Sequence, residues 1–173
     1  MKNGNPMRDI ILEKVTLNIG VGASGQPLEN AKTLLQRLTG KTPAVTTAHA
    51  RSPVFKIRKG DPIGAKVTLR GKEAVELLQR ALDSVDFKIS ERSFDGRGNF
   101  SFGIREYIDF PGIKYDPKIG IIGFDVCVTL ARRGYRVSRK KRCRSPVGKK
   151  HLVSREEGVA FAREKLKVNV QTT

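Results

Sequence analysis

A glycine-rich turn is the part of this sequence whose residue spacing most suggests chemistry. Residues 20–25 read Gly-Val-Gly-Ala-Ser-Gly, which matches G-x-G-x-x-G and stands between a predicted strand and a predicted helix. Such a turn can bind the pyrophosphate of a dinucleotide, provided that an acidic residue follows to hold the ribose. No Asp or Glu occurs between Glu29 and Asp61. Because this acidic residue is missing, we do not predict a dinucleotide site. An RNA-modifying enzyme that binds a nucleotide cofactor at this turn remains an alternative hypothesis.

Cysteine, histidine and acidic residues are the other candidates for catalysis or metal binding. The chain has two cysteines and two histidines, and the spacing of Cys127, Cys143, His49 and His151 matches no zinc template. Neither histidine stands near a Ser or Cys motif that would form a nucleophile–base pair, and the carboxylates are scattered. We therefore predict no catalytic residue, no metal site and no cofactor, with Cys127 buried in a strand and Cys143 exposed.

The charged residues indicate a polyanionic partner. Lys and Arg number 34 against 17 Asp and Glu, so the formal net charge is +17. Residues 131–150, here called the basic block, hold ten of the basic side chains and no acidic one: Arg132, Arg133, Arg136, Arg139, Lys140, Lys141, Arg142, Arg144, Lys149 and Lys150. Because such a block repels itself, we expect it to become ordered against phosphates. The alternatives for the basic block are a solvated tail or a localisation signal. For the protein as a whole, a chromatin-type DNA binder is an alternative function.

Strands account for most of the predicted secondary structure. Strict alternation of apolar and polar residues indicates half-buried strands, of which the clearest cover residues 15–21, 63–69 and 124–130. Shorter strands are predicted at 43–47, 55–58, 87–89 and 100–104. Because these strands alternate instead of being apolar throughout, they favour an antiparallel sheet with one face left to solvent or to a ligand.

Helices are predicted to cover the other face of that sheet. Apolar residues recur at helical spacing over 28–38, before a capping Gly40, and over 72–84, where Val75 is assigned to the buried side. A capping box of Ser154 and Glu157 begins a final helix. The predicted fold class is therefore α+β, a single domain with a mostly antiparallel sheet and helices packed on one face.

We divide this domain into an RNA-binding core over residues 1–130 and a basic extension over 131–173. The extension ends in the short final helix and is not predicted to be an independent domain. No stretch approaches the roughly 18 apolar residues that a membrane span needs, so we expect no membrane association.

The polar face of the predicted sheet suggests RNA binding. It would display Lys14, Asn18, Lys56, Arg58, Lys66, Thr68 and Arg70. Lys and Arg can contact phosphates, while Asn and Thr can reach sugar hydroxyls and base edges. Gly20 and Gly22 would let a ligand backbone approach closely. The alternative is an ordinary solvated sheet face whose charges serve solubility.

Several long segments resemble one known family. They read Leu17-Asn18-Ile19-Gly20-Val21-Gly22, Thr39-Gly40-Lys41-Thr42-Pro43, Phe55-Lys56-Ile57-Arg58, Pro62-Ile63-Gly64-Ala65-Lys66-Val67-Thr68-Leu69-Arg70-Gly71 and Ser93-Phe94-Asp95-Gly96-Arg97-Gly98-Asn99-Phe100. In this order they resemble the large-subunit ribosomal protein L five family, which binds 5S rRNA, over essentially the whole chain. Residues 5–9 and 139–143 resemble the archaeal and eukaryotic branch, and we expect an archaeal origin.

The resemblance implies a non-catalytic constituent of the large ribosomal subunit, located in the cytoplasm within the ribosome. It implies that the protein holds 5S rRNA in the central protuberance beside a second, neighbouring 5S-binding ribosomal protein. The family's 5S-contacting positions carry over to Lys14, Asn18, Lys41, Arg58 and Thr68. At Lys41 this chain departs from the Gln often found in the family, which exchanges an amide contact for a possible phosphate contact.

Further contacts are implied with tRNA, with a protein and with other rRNA. A loop is expected to reach the elbow of P-site tRNA through His49, Arg51, Ser52, Pro53, Val54 and Phe55. A small-subunit protein is the expected partner across the subunit interface. Additional contacts with 5S or 23S-type rRNA are expected from Lys56, Lys66, Arg70, Arg132, Arg133, Arg136, Arg139, Lys140, Lys141, Arg142 and Arg144.

Overall fold

A five-stranded antiparallel sheet forms the centre of the protein. The computed structural model describes residues 5–171; residues 1–4 and 172–173, at the outer ends of the predicted core and extension, lie outside this part. The sheet consists of β1 (Ile10–Gly20), β2 (Ala44–Thr47), β3 (Pro62–Leu69), β5 (Phe100–Ile104) and β6 (Phe124–Arg132), in the order β2-β3-β1-β6-β5. The other elements are α1 (Gln26–Thr39), α2 (Lys72–Asp83), β4 (Lys88–Ser90), α3 (Arg155–Leu166) and β7 (Asn169–Gln171).

Alternation along the strands separates a core face of the sheet from an open face. Val15, Leu17 and Ile19 of β1 are buried, and the antiparallel pairing sets Leu69 opposite Val15 and Val67 opposite Leu17. The residues between them point to the other side, because successive side chains of a strand alternate between its faces. The predicted alternation is thus confirmed for β1, β3 and β6.

Helices α1 and α2 cover the core face, which confirms the predicted α+β class. The buried stripe of α1 is the predicted one, namely Leu28, Ala31, Leu34, Leu35 and Leu38. Gly40 then ends α1 with a φ of +67°, a conformation that glycine adopts without steric cost. The assignment of Val75 to the buried side of α2 is wrong, since it is 39% exposed. It follows buried Ala74 and lies about 100° around the helix from it.

The predicted strand at 55–58 is absent. Residues 48–61 instead form a loop between β2 and β3, in which Ser52 and Ile57 exchange two backbone hydrogen bonds of 2.9 and 3.1 Å. Residues 53–56 make the turn that this pair closes, and Lys56 has a φ of +55° there. A left-handed residue within a four-residue turn cannot continue a sheet ladder.

The chain after the basic block folds back against the sheet. The predicted capping box is confirmed: the Glu157 N–H donates to Ser154 Oγ at 3.3 Å, and the Ser154 N–H donates to Glu157 Oε2 at 3.0 Å. Strand β7, which the sequence does not predict, pairs in parallel with β4. Helix α3 therefore sits in a fixed position beside the turn at 95–99, where Gly158 meets Gly98.

Candidate nucleic-acid interface

The open face of the sheet carries polar side chains in rows that cross the strands. Asn18 of β1 stands between Lys66 of β3 and Asp125 of β6. Two rows closer to the start of β1, Lys14 stands opposite Thr129 of β6. All five side chains are half-buried or exposed, and α1 and α2 lie on the other side of the sheet. The face thus offers amide, hydroxyl and ammonium groups to a ligand, which suits RNA phosphates and sugars.

A row of hydroxyl and thiol groups separates these two rows. Thr16 stands between Thr68 and Cys127, and the hydroxyl oxygens of Thr16 and Thr68 are 3.3 Å apart. Cys127 is half-buried on the open face, so the prediction that it is buried is wrong, whereas Cys143 is exposed as predicted. Partial burial raises the pKa of the Cys127 thiol, and the Asp125 carboxylate adds to the rise. The thiol therefore adds no negative charge to this face at neutral pH.

Because Gly20 has no side chain, one end of the open face has free space above the backbone. A Cβ atom built on Gly20 would meet no protein atom within 4 Å, so the packing of the fold does not require glycine there. At Gly64, by contrast, a Cβ would lie 2.5 Å from the Ile19 carbonyl oxygen, so packing does require that glycine. Gly20 therefore has space above it that a ligand could occupy.

The structure brings together most of the residues assigned to the polar face. Lys14, Asn18, Lys66 and Thr68 lie on the open face, and Arg70 directly follows β3. Lys56 and Arg58 do not lie on this face, because they belong to the loop 48–61 and not to a strand. That part of the prediction is wrong. The backbone N–H of Arg58 donates to the Asp61 carboxylate at 2.7 Å within this loop.

Lys41 lies apart from the open face, in the turn between α1 and β2. Its ammonium group forms an ion pair with Glu73 in the first turn of α2. Both side chains are exposed, so solvent screens the pair and the lysine can exchange the carboxylate for another anion at little cost.

The loop 48–61 carries all the residues predicted to contact tRNA. Its base is closed by two backbone hydrogen bonds of 2.9 Å, from Ala48 to Asp61 and from Gly60 to Ala48. At its tip Val54 is 84% and Phe55 is 73% exposed. His49, Arg51 and Pro53 are also exposed, whereas Ser52 is half-buried at the turn. The loop thus presents an apolar tip beside basic side chains.

One member of the basic block is buried, which the sequence does not predict. Arg132 is 8% exposed and forms an ion pair with Glu157 of α3. Strand β6 continues to this residue, so Arg132 falls on the same face as the buried Leu130. Its guanidinium group therefore faces Glu157 instead of solvent, and its role as an rRNA contact stays a prediction. The remaining predicted members, Arg133, Arg136, Arg139, Lys140, Lys141, Arg142 and Arg144, are exposed or half-exposed.

Hydrogen bonds hold the basic block against the segment before α3. The Tyr135 hydroxyl donates to the His151 carbonyl oxygen at 3.2 Å and accepts the Val153 N–H at 3.0 Å. Arg139 forms an ion pair with Glu13 of β1. Between the block and the turn at 95–99 lies a groove whose lining includes Arg97, a residue that the sequence does not single out. More than 30 residues separate Arg97 from the block, so no local pattern connects them.

The glycine-rich turn does not have the surroundings of a dinucleotide site. Both neighbours of β1 in the sheet, β3 and β6, are antiparallel to it, whereas that site belongs to a parallel β-α-β unit. Within residues 5–171, no three His, Cys, Asp or Glu side chains come together so as to hold a metal ion. No helix in this described range is long and apolar enough to cross a membrane.

Fold and charge together define the class: a basic α+β protein that leaves one polar sheet face uncovered. Two family models match the chain, one described as Ribosomal protein L5 at residues 5–58 and one for the C-terminus of the same ribosomal family at residues 62–161. The large ribosomal subunit protein uL5 of Pyrobaculum aerophilum is 52% identical over 167 residues, which cover 96% of this chain and 93% of the relative.

Two further relatives are similar along nearly their whole length. The large ribosomal subunit protein uL5 of Nanoarchaeum equitans is 53% identical, with 96% of this chain and 98% of the relative covered. That of Sulfolobus acidocaldarius is 46% identical, with 98% and 95% covered. The chain belongs to the ribosomal protein L5 family, and it is a structural constituent of the large ribosomal subunit. The archaeal relatives confirm the predicted branch.

Proposed function

We propose that this protein binds 5S rRNA through the open sheet face and helps to attach it in the central protuberance, without catalysing a reaction. The observation that carries the proposal is the arrangement of Lys14, Asn18 and Thr68 in neighbouring rows of an uncovered sheet. Lysine supplies a phosphate contact, and the amide and hydroxyl can recognise riboses or base edges. These three are also positions that the family resemblance associates with 5S rRNA.

The distribution of charge supports binding on this side of the molecule. The exposed side of α2, beyond the opposite face of the sheet, displays the carboxylates of Glu73, Glu76 and Asp83 together with the basic Lys72 and Arg80. This side therefore offers RNA no net positive charge, whereas the open face carries Lys14 and Lys66 against Asp125. Lys41 and Arg58 are proposed as peripheral 5S contacts, since they lie in turns outside the strands of the open face.

The loop 48–61 is proposed to contact P-site tRNA. Its exposed Phe55 and Val54 give the tip an apolar surface that contributes nothing to the core of the fold. An aromatic ring can stack on a base or a ribose, and the exposed Arg51 nearby can contact a phosphate. His49, Ser52 and Pro53 complete the proposed contact surface.

The basic extension 131–173 is proposed to contact 23S-type rRNA as part of the same domain. The pairing of β7 with β4 and the ion pair of Arg139 with Glu13 tie this extension to the core 1–130. A neighbouring 5S-binding ribosomal protein and a small-subunit protein are the proposed protein partners, within cytoplasmic ribosomes.

A competition titration tests the proposed partner. The purified protein is titrated with 5S rRNA in a filter-binding assay at about 0.15 M salt, because phosphate contacts depend steeply on salt. Excess tRNA and duplex DNA serve as competitors. Binding of 5S rRNA that survives both competitors supports the proposal. Binding that any polyanion removes equally would overturn it and leave a solvated, generally basic face or a DNA binder as the better account.

A further inference from the structure

A basic groove lies between the end of the β5–β6 pair and the basic block. It has a volume of about 720 Å³, and its lining includes the side chains of Arg97, Arg139 and Arg144. The groove exists because the Tyr135 hydroxyl and the Arg139–Glu13 ion pair hold the block over the end of the sheet. Residues far apart in the sequence thereby converge on one cavity.

The charges around this groove leave two guanidinium groups available. Glu13 balances Arg139, and no carboxylate is among the residues that line the groove. Arg97 and Arg144 are exposed, and within residues 5–171 neither side chain forms an ion pair. Free guanidinium groups bind phosphate oxygens through paired, charge-assisted hydrogen bonds. The groove is therefore suited to an anionic group.

The rest of the lining is suited to a base. Pro146, Val147 and Leu152 form an apolar wall of the groove. Ser138 also lines the groove, and because its hydroxyl donates to the Tyr135 carbonyl oxygen at 2.8 Å, the Ser138 oxygen keeps lone pairs for a ligand. A cavity of this size lies within the range of about 300–1,000 Å³ that small-molecule sites occupy.

Thr129 connects the groove to the open face. It lines the groove, and in the β1–β6 pairing it stands opposite Lys14. The open face and the groove therefore share a residue, so an RNA strand bound at Lys14 lies next to the groove.

We propose that this groove holds one unstacked nucleotide of folded rRNA, with its phosphate on Arg97 and Arg144 and its base against the apolar wall. The inference rests on the proposed function, because it extends the RNA-binding surface from the open face. It assigns to Arg97 a role in RNA binding and gives Arg144 a specific partner, a phosphate group beside an extruded base.

Salt-dependent filter binding tests the groove. Binding to 5S rRNA and to a large-subunit rRNA transcript is measured for wild type, for the double variant Arg97→Gln/Arg144→Gln and for Arg105→Gln. Arg105 is an exposed arginine just beyond the far end of β5, without an ion pair in the described residues, and serves as the matched control. For one of the two RNAs, the slope of log affinity against log salt should fall by about one in the double variant, because the single phosphate that the two arginines share is no longer bound.

A crosslinking experiment tests whether a nucleobase lies against the apolar wall of the groove. Either transcript, carrying 4-thiouridine, should crosslink under ultraviolet light to residues 144–152 of the wild-type protein, and the RNA that does so is the source of the nucleotide. A double variant whose slopes equal those of Arg105→Gln with both RNAs would overturn the groove proposal. So would the absence of crosslinks in that segment. The variant Asn18→Ala, measured in parallel, tests the proposed function separately from the groove. Loss of its 5S binding supports the open face as the 5S site, whatever the groove variants show. Equal binding by Asn18→Ala and wild type would count against the open face.

Discussion

Gly98 and Gly158 pack backbone against backbone, so that helix α3 lies directly on the turn that precedes β5. A Cβ atom added to Gly158 would lie 2.5 Å from both the Cα and the carbonyl oxygen of Gly98. Gly98 has a φ of +72° and is itself buried. This contact fixes α3, and with it the end of the basic block, relative to the sheet.

Gly158→Ala is expected to destabilise the fold by about 1–3 kcal/mol, the usual cost of overpacking a well-packed site. The prediction opposes helix propensity, which favours alanine over glycine inside a helix by about 1 kcal/mol. Urea unfolding measures the difference. Gly96→Ala is the matched control, since a Cβ at Gly96 meets nothing within 4 Å. Equal stability of Gly158→Ala and wild type would contradict the close packing.

Gly20→Ala is expected to separate folding from RNA binding. The free energy of unfolding should not fall, because the added methyl group meets no protein atom. The affinity for 5S rRNA should fall roughly tenfold, about 1.4 kcal/mol, if the RNA backbone lies against this end of the open face. Filter binding and urea unfolding measure the two quantities, again with Gly96→Ala as control. A variant that binds as tightly as wild type would show that the RNA does not reach Gly20.

Phe55→Ala is expected to leave stability nearly unchanged, within about 0.5 kcal/mol, because the side chain is an exposed one away from the core. Crosslinking between this loop and tRNA bound in the P site of ribosomes that carry the variant should decrease. Ile121→Ala removes another exposed apolar side chain, which is 64% exposed, and should leave that crosslinking unchanged. Equal crosslinking by Phe55→Ala and Ile121→Ala would argue against a role of the tip in tRNA contact.

Asp116→Asn is expected to change the dependence of stability on pH. A hydrogen bond from Arg37 at 2.7 Å, assisted by the Lys118 N–H, lowers the pKa of the Asp116 carboxyl below its usual range. A lowered folded-state pKa contributes stability that is complete above the unfolded value of about 4 and is lost as the pH falls through the folded value.

The wild type should therefore exceed Asp116→Asn in unfolding free energy at neutral pH, and the difference should shrink below about pH 4. Urea unfolding between neutral and acidic pH measures it. Asp109→Asn, which removes an exposed carboxylate without an ion pair in the described residues, controls for the change in net charge. A difference that does not vary with pH would contradict the role of the Arg37 hydrogen bond.

Much of the sheet and both covering helices could be predicted from the sequence, because burial of one face imposes a period. Val15, Leu17 and Ile19 alternate strictly, and they lie in the core as that alternation requires. The segment 55–58 has the same local composition but no such constraint. There the turn closed by Ser52 and Ile57 determines the conformation, and nothing in the alternation of four residues distinguishes a turn from a strand.

The candidate RNA-binding site could be predicted only where its residues lie on strands. Asn18 and Thr68 lie on the same open face because alternation and pairing place them there. The basic neighbours of Arg132 predict a surface position for it, yet β6 extends far enough to bury it against Glu157. Arg97 reaches the groove through the long-range packing of the basic block, which no spacing along the chain records.

The most direct test of the open face as the 5S rRNA site compares two amides on opposite sides of the sheet. Asn18 lies on the open face and Gln79 on the exposed side of α2. Filter binding at several salt concentrations should show weaker 5S binding for Asn18→Ala than for Gln79→Ala, with little change in the salt slope. Lys14→Ala should lower that slope by about one relative to Lys72→Ala, an exposed lysine of α2. Equal affinity of Asn18→Ala and Gln79→Ala, with equal slopes for the two lysine variants, would contradict binding through this face.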